Sequence, residues 1–363
     1  MPTCPSPEPW SAIAYRMVED VGVRPGELVL IRDRVGDRAI LDEVLLAVEE
    51  SGGTPLPETT PPTYLTRLLT ETDPARLRNW DLRRRDWVRS ADRIIKLVCR
   101  AGDLSSVPAS SLAAWREATQ RLSHIEDERR IPSVMVALPE EETAAELALS
   151  QQELMAILKP ALILTPAELR AELETSVRMT ANTSSLTILT GEDCVLHLSR
   201  NGRQWLMDDG LIDDADRMGG GHVANLPAGA LYTTVVENAG EGDLWLDQAG
   251  PASGVHLHFA AGWVTSIEAR EGAAELEALF DNATGESRRI SHVGIGFNPC
   301  LRQPIGWVLV DEHVHGALIV AFGENRYLGG RNASSLNIDF YSVTATIRAD
   351  GQTIVDRGAI VGA

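Results

Sequence analysis

"SSLTILTGEDCVLHLSRNGRQWLMDDG", residues 184–210, is where the chain changes character. Leu186 and Ile188 flank Thr187, Leu196 and Leu198 flank His197, and Gly191 and Gly202 fall between the runs. Period-two alternation broken by turn residues marks antiparallel strands joined as hairpins. The same texture returns downstream in "GDLWLDQAG" (242–250), "GVHLHFAAGWVTSIEAREG" (254–272) and "YSVTATIRADGQTIVDRGAIVG" (341–362).

Upstream the pattern is different. "WSAIAYRMVEDV" (10–21) carries Trp10, Ile13, Ala14, Met17, Val18 and Val21 on one helical face. A Pro-Gly turn leads into the apolar run Leu28 to Ile31, which predicts a buried strand. "RAILDEVLLAVEESGG" predicts a helix with Leu41, Val44, Leu45 and Val48 inward, ended by Gly52 and Gly53. Strands follow at "RIIKLVCRAG" (93–102) and "IPSVMVALP" (131–139), and strands alternating with helices predict a parallel sheet. In "SQQELMAILKPALILTPAELRAELETSVRMT" (150–180), Pro160 and Pro166 are expected to break or kink a helix. The fold class is therefore α/β plus α+β. An N-terminal α/β domain with a parallel sheet (1–185) precedes a C-terminal β-rich α+β domain (186–363) expected to carry the site.

At 363 residues two domains are expected. The net charge of −19 would repel phosphates, which argues against nucleic-acid and anionic-membrane partners. No window approaches the roughly 18 apolar residues of a membrane helix. The start, "MPTCPSPEPW", lacks a basic segment followed by an apolar run, so no secretory signal is expected. Cys4, Cys99, Cys194 and Cys300 form no CxxC pair and are expected as free thiols in a reducing cytoplasm.

Seven of the eight histidines follow residue 196. His124 and His197 have no polar constellation nearby in sequence and read as structural. His222 sits in the Gly-rich "GGGHVANLPAGALYTTV" (219–235), which fits neither a P-loop nor a dinucleotide fingerprint. His256 and His258, two apart on an expected strand, share a face and suit either a metal or a half-exposed surface. His292 precedes the turn in "ISHVGIGFNPC" (290–300). The stretch "DEHVHGALIVAFGENRYLGGRNASSLNIDF" (311–340) then offers Glu312, His313, His315, Arg326, Tyr327, Asn337 and Asp339. Three separated segments each offering a histidine or carboxylate is how a two-histidine, one-carboxylate iron site is assembled.

These segments resemble the thermophilic aminopeptidase family of metallopeptidases. The similarity runs in order through "VRPGELVLI", "RNGRQWLMDDG", "NLPAGALYTTVVENAGEGDLWLD", "FAAGWVTSIEAREG", "VGIGFNP", the 311–340 stretch and "DGQTIVDRGAI". It implies an N-terminal α/β domain, a C-terminal metal-site domain, and a homodimer or larger homo-oligomer. The peptidase pattern has a metal-bridging Glu where this chain has Ala230, a Glu at His292, and His at Ile319 and Asn337. Losing those ligands removes most of a two-metal hydrolytic site, so aminopeptidase activity is not expected.

The sequence is also similar to the 2,5-dihydroxypyridine dioxygenases, ring-cleaving enzymes with one non-haem Fe(II). That resemblance implies His292 and Asp339 as metal ligands, with Asn337 where the family has a His, and His313 or His315 as a replacement donor. It also implies an acid-base role for His222. From the residues themselves, Arg326 and Tyr327 would orient the substrate and Glu312 is a further acid-base candidate. The expected activity is an Fe(II)-dependent oxygenase acting with O2 on a small oxygenated aromatic or heteroaromatic compound. Two other readings stay open: a metal-independent acid-base enzyme (hydrolase, isomerase or cyclase), and a non-catalytic binding protein.

Overall fold

The computed structural model describes residues 9–361 apart from 101–103, 105 and 220. Cys4 lies outside the described residues, while Cys99, Cys194 and Cys300 are free thiols. The chain forms two compact units, Met1–Ile163 with Gly210–Pro227, and Leu164–Asp209 with Ala228–Ala363. The expected division at residue 185 differs from this one. Leu169 and Leu173 of helix Pro166–Thr180 are buried, and Leu173 belongs to the apolar cluster of the second unit. Pro160 is accommodated in the last turn of helix Gln151–Leu162, and Pro166 opens the next helix behind a Thr165 cap. The break thus falls between the prolines.

The first unit is built on strands β1 (Leu28–Asp33), β2 (Thr54–Thr59), β3 (Arg93–Val98) and β4 (Ser133–Ala137), all parallel. Three strands then fall to the second unit: β5 (Ser185–Thr190), β6 (Cys194–Ser199) and β7 (Leu206–Asp208). The chain next returns with β8 (Val223–Leu226), which pairs in parallel with β4 and completes the order β2-β1-β3-β4-β8. β2 carries Pro55 and Pro57, which an edge strand tolerates because it need not donate outward. The helix at 9–21 buries Trp10, Ile13, Ala14, Met17, Val18 and Val21, the face its periodicity gave.

The second unit has two sheets whose strand pairs are antiparallel. Its remaining strands are β9 (Ala230–Thr234), β10 (Glu241–Ala249), β11 (Ala252–Ala260), β12 (Trp263–Glu271), β13 (Ile290–Gly296), β14 (Leu318–Gly323), β15 (Asn337–Ser342), β16 (Thr346–Ala349), β17 (Gln352–Asp356) and β18 (Ala359–Ile360). They form an eight-stranded sheet, β12-β11-β10-β6-β5-β16-β17-β18, and a five-stranded sheet, β15-β14-β13-β9-β7. One apolar cluster draws on both, with Leu186, Leu196, Leu244 and Leu257 from the first and Val293, Val320, Phe322 and Phe340 from the second. No helix of the described residues is long and apolar enough to cross a membrane.

Candidate functional site

Strand β13 is buried at every position, as a strand with neighbours on both edges should be. It pairs with β14 as Ile290↔Phe322 and Val293↔Val320, so Ser291 and His292 together stand opposite the single Ala321. This is a bulge, which re-aims a side chain. Two buried amides occupy the backbone carbonyls there: Asn332 Nδ2 donates to the Ile290 carbonyl at 2.9 Å, and Asn325 Nδ2 to the Ser291 carbonyl at 3.0 Å. Gly330 packs so closely on Asn325 that a Cβ would lie 2.1 Å from the amide, so only glycine fits.

Ala321 pairs on its other side with Asp339 of β15. Strands two apart lie about 10 Å from one another, and the residue paired between them, Ala321, carries only a methyl group. His292 and Asp339 therefore meet across β14, with Nε2 3.4 Å from Oδ1. Ser291 Oγ donates to the Glu324 carbonyl at 3.1 Å and lies 3.1 Å from His292 Nδ1. With its single hydrogen committed, the hydroxyl accepts from Nδ1–H, and the Nε2 lone pair faces Asp339. Asp339 Oδ1 is shielded from solvent and accepts no hydrogen bond. Burial lowers the His292 pKa, opposed by Asp339, and burial raises that of Asp339, opposed by His292.

The segment after helix Val308–Asp311 brings further charge. Asp311 accepts the Ile305 and Gly306 amides at 2.7 and 2.8 Å, which fixes the turn. His313 is buried, with Nε2 3.1 Å from Asp208 Oδ2 and Nδ1 3.2 Å from the Leu309 carbonyl. Burial opposes its charge, but the Asp208 hydrogen bond and the Glu312 charge outweigh burial and raise its pKa. Both partners are acceptors, so both ring nitrogens donate and His313 keeps no lone pair for a metal. Its expected role as a ligand gives way to that of a buried cation.

Glu312 lies beside it, Oε1 3.8 Å from Nδ1. Burial, together with the charges of Asp339, Asp208 and Asp311, pushes its carboxyl up to about 8 against the pull of His313. Tyr327 is half-buried, and its hydroxyl accepts from Asn337 Nδ2 at 3.3 Å. Burial and the charge of Asp339 raise its pKa, so it stays a phenol. Asn337 itself is exposed.

Other expected members stand elsewhere. Arg326 is exposed, and its guanidinium is engaged by Glu324 of its own turn at 2.7 and 2.9 Å. His315 packs edge-on against Phe297, with Arg302 and Glu172 as its charged neighbours. His222 belongs to the first unit, buried, with Nε2 3.2 Å from Asp127 Oδ1. Asp208, Ser291 and the ring of Tyr232, 5.9 Å from that of His292, were not anticipated. The acidic pair in "MDDG" was the one signal available for Asp208.

The donor set fits a divalent cation. A lone pair and a shielded carboxylate oxygen that lacks a hydrogen bond face one another at 3.4 Å, an arrangement that a shared cation stabilises. The Ser291 contact supplies the outer-shell hydrogen bond that metal-binding imidazoles ordinarily carry.

The model of the family 2,5-dihydroxypyridine 5,6-dioxygenase (NicX) matches residues 147–362, more than half of the chain. No curated protein sequence matches. Among solved structures, the chain is similar to AmpT from Thermus thermophilus, with TM-score 0.74 and 16% identity over 97% of this chain and 99% of that one. It is also similar to 2,5-dihydroxypyridine dioxygenase from Pseudomonas putida KT2440, with TM-score 0.65 and 16% identity over 98% of this chain and 97% of the other. At that identity the two likenesses bear on the fold, which is the aminopeptidase-like one expected. The chain belongs to the 2,5-dihydroxypyridine 5,6-dioxygenase family and is a dioxygenase-like, ring-cleaving oxidoreductase with a metal cofactor.

Proposed function

We propose that the chain is a mononuclear iron(II) dioxygenase that opens the ring of a small oxygenated aromatic or heteroaromatic compound, of the kind typified by a dihydroxypyridine. The observation that carries this reading is the facing pair His292 Nε2 and Asp339 Oδ1, the latter buried and without a hydrogen bond. These two residues would hold the metal, with the amide oxygen of Asn337 as a weaker third donor in place of an imidazole. When bound, the metal would supply the redox chemistry toward dioxygen.

The remaining steps belong to the protein's own groups. The Tyr327 phenol donates a hydrogen bond to a substrate oxygen, since burial and Asp339 keep its proton in place. Glu312, with its pKa near 8, is protonated at neutral pH and exchanges a proton with a ring hydroxyl. Asp208 holds His313 as a cation beside Glu312, and that positive charge opposes the rise of the Glu312 pKa. Free thiols and the absence of basic character are consistent with a cytoplasmic enzyme, and the family fold with a homo-oligomer.

Oxygen uptake by anaerobically prepared, iron(II)-loaded protein across a panel of dihydroxylated pyridines and benzenes tests the activity. Substrate-dependent uptake with loss of the ring absorbance supports it. A fully iron-loaded protein inert toward every member would contradict it.

A further inference from the structure

The eight-stranded sheet carries a second cluster of ligating groups, none of which takes part in the His292 site. Along β11, Val255, Leu257 and Phe259 point into the core while His256 and His258 share the other, half-buried face. On β10, Asp243 stands opposite His258, and Trp245 opposite His256. Asp243 Oδ1 lies 2.5 Å from His258 Nδ1 and 3.7 Å from His256 Nε2, and one ligand atom from each of the three falls within 4.8 Å of the others. Cys194 at the start of β6 places Sγ 3.5 Å from His256 Nε2. The two imidazole rings are 4.2 Å apart at 44°.

These separations suit a tetrahedral ion. Zinc–nitrogen and zinc–sulfur bonds of about 2.0 and 2.3 Å place neighbouring donor atoms roughly 3.3 to 3.6 Å apart. The His256–Asp243 and Cys194–His256 distances are already close to that edge, and the short His258–Asp243 contact opens by under an ångström when a cation replaces the shared proton. Glu268 Oε1 lies 3.7 Å from His258 Nε2, an acidic neighbour on the side of the ring away from Asp243. Two imidazoles and one carboxylate, with a thiol beside one of the imidazoles, select a borderline cation such as zinc(II) over calcium or magnesium, which take oxygen donors.

We propose that Asp243, His256 and His258 form a second metal site, specific for zinc(II) and similar cations, that ties β10 and β11 together, with Cys194 of β6, next to His256, as the donor that would close on the ion when it binds. The inference goes beyond the dioxygenase reading and does not depend on it.

The test uses untagged, chelator-stripped protein carrying His292→Ala and Asp339→Ala, titrated with zinc(II) by calorimetry. One equivalent is expected to bind and to raise the melting temperature. Adding His256→Ala and His258→Ala is expected to weaken that binding by at least about 100-fold, beyond the range for outer-shell partners. Circular dichroism checks the fold, and His256→Gln with His258→Gln serves if the alanine pair does not fold. With cobalt(II), thiolate-to-metal absorption is expected and should vanish in Cys194→Ser. Absence of zinc binding to the His292→Ala, Asp339→Ala protein overturns the site, as does binding unchanged by loss of the two β11 histidines. Lack of thiolate absorption removes Cys194 from it.

Discussion

His292 Nε2 and Asp339 Oδ1 lie 3.4 Å apart although strand β14 runs between their own strands. The contact exists because β13 bulges at Ser291–His292 and because the residue between the two is Ala321. Backbone pairing, and not proximity in sequence, makes this site.

Enlarging that methyl should therefore part the two ligands. Ala321→Leu is expected to lower iron(II) affinity by more than about tenfold, and to destabilise the fold by roughly 1–3 kcal/mol through overpacking. Ala321→Gly, which adds no bulk, should keep most of the affinity. Equal metal binding by the leucine variant and the parent, measured by anaerobic titration, would rule out the spacer role.

The tautomer of His292 depends on one hydroxyl. Removing it in Ser291→Ala should weaken metal binding by about 10–100-fold, the range for outer-shell partners of ligating histidines. Ser291→Thr, which keeps the hydroxyl, should recover part of the loss. An alanine variant with parental affinity would show that another group sets the ring.

Glu312 gives a pH signature in the metal-free protein. Its carboxyl has a pKa of about 8 when folded, against an ordinary value of 4.5. Between those values the native state holds a proton that the unfolded chain has released, so stability falls as pH rises through this window. Chelator-treated parent should lose stability from about pH 4.5 to 8 relative to Glu312→Gln, which cannot titrate. Denaturant unfolding of both proteins at several pH values checks this. A constant difference across the window would contradict the raised pKa.

Adjacent residues on the 326–328 turn should behave differently. Arg326 is exposed and engaged with Glu324, so Arg326→Ala should change kcat/KM by less than about twofold, as surface sites do. Tyr327 faces Asn337 and the Asp339 carboxylate, and Tyr327→Phe should cost about tenfold in kcat/KM, the worth of one hydrogen bond. The opposite order of effects, read from steady-state oxygen uptake, would return the anchoring role to Arg326.

Much of the architecture was legible in the sequence because it is written in local periodicity. The helix at 9–21, the run Leu28 to Ile31 and the alternation after residue 184 each report their own environment. The division at 185 was less legible. Helix Pro166–Thr180 reads alike whichever unit buries Leu173, and the return of Val223–Leu226 to β4 is a long-range pairing. Within the site, His292 and Asp339 stood out through their motifs, whereas Asp208, Ser291 and Ala321 are ordinary residues made important by register. His313 drew attention as an imidazole in a polar run, but only its two acceptor partners reveal that it cannot ligate. Arg326 looked like an anion clamp because sequence does not show that Glu324 already occupies its guanidinium.

The measurement that bears most directly on the central claim is iron content, by mass spectrometry, of untagged protein loaded anaerobically with iron(II) and desalted. The parent, His292→Ala and Asp339→Ala should be compared side by side. The parent is expected to retain close to one iron per chain and to take up oxygen with a dihydroxylated ring substrate. Each variant should lose both, with affinity reduced by more than about 100-fold, above the outer-shell range. Stoichiometric iron and undiminished turnover in His292→Ala would contradict the account.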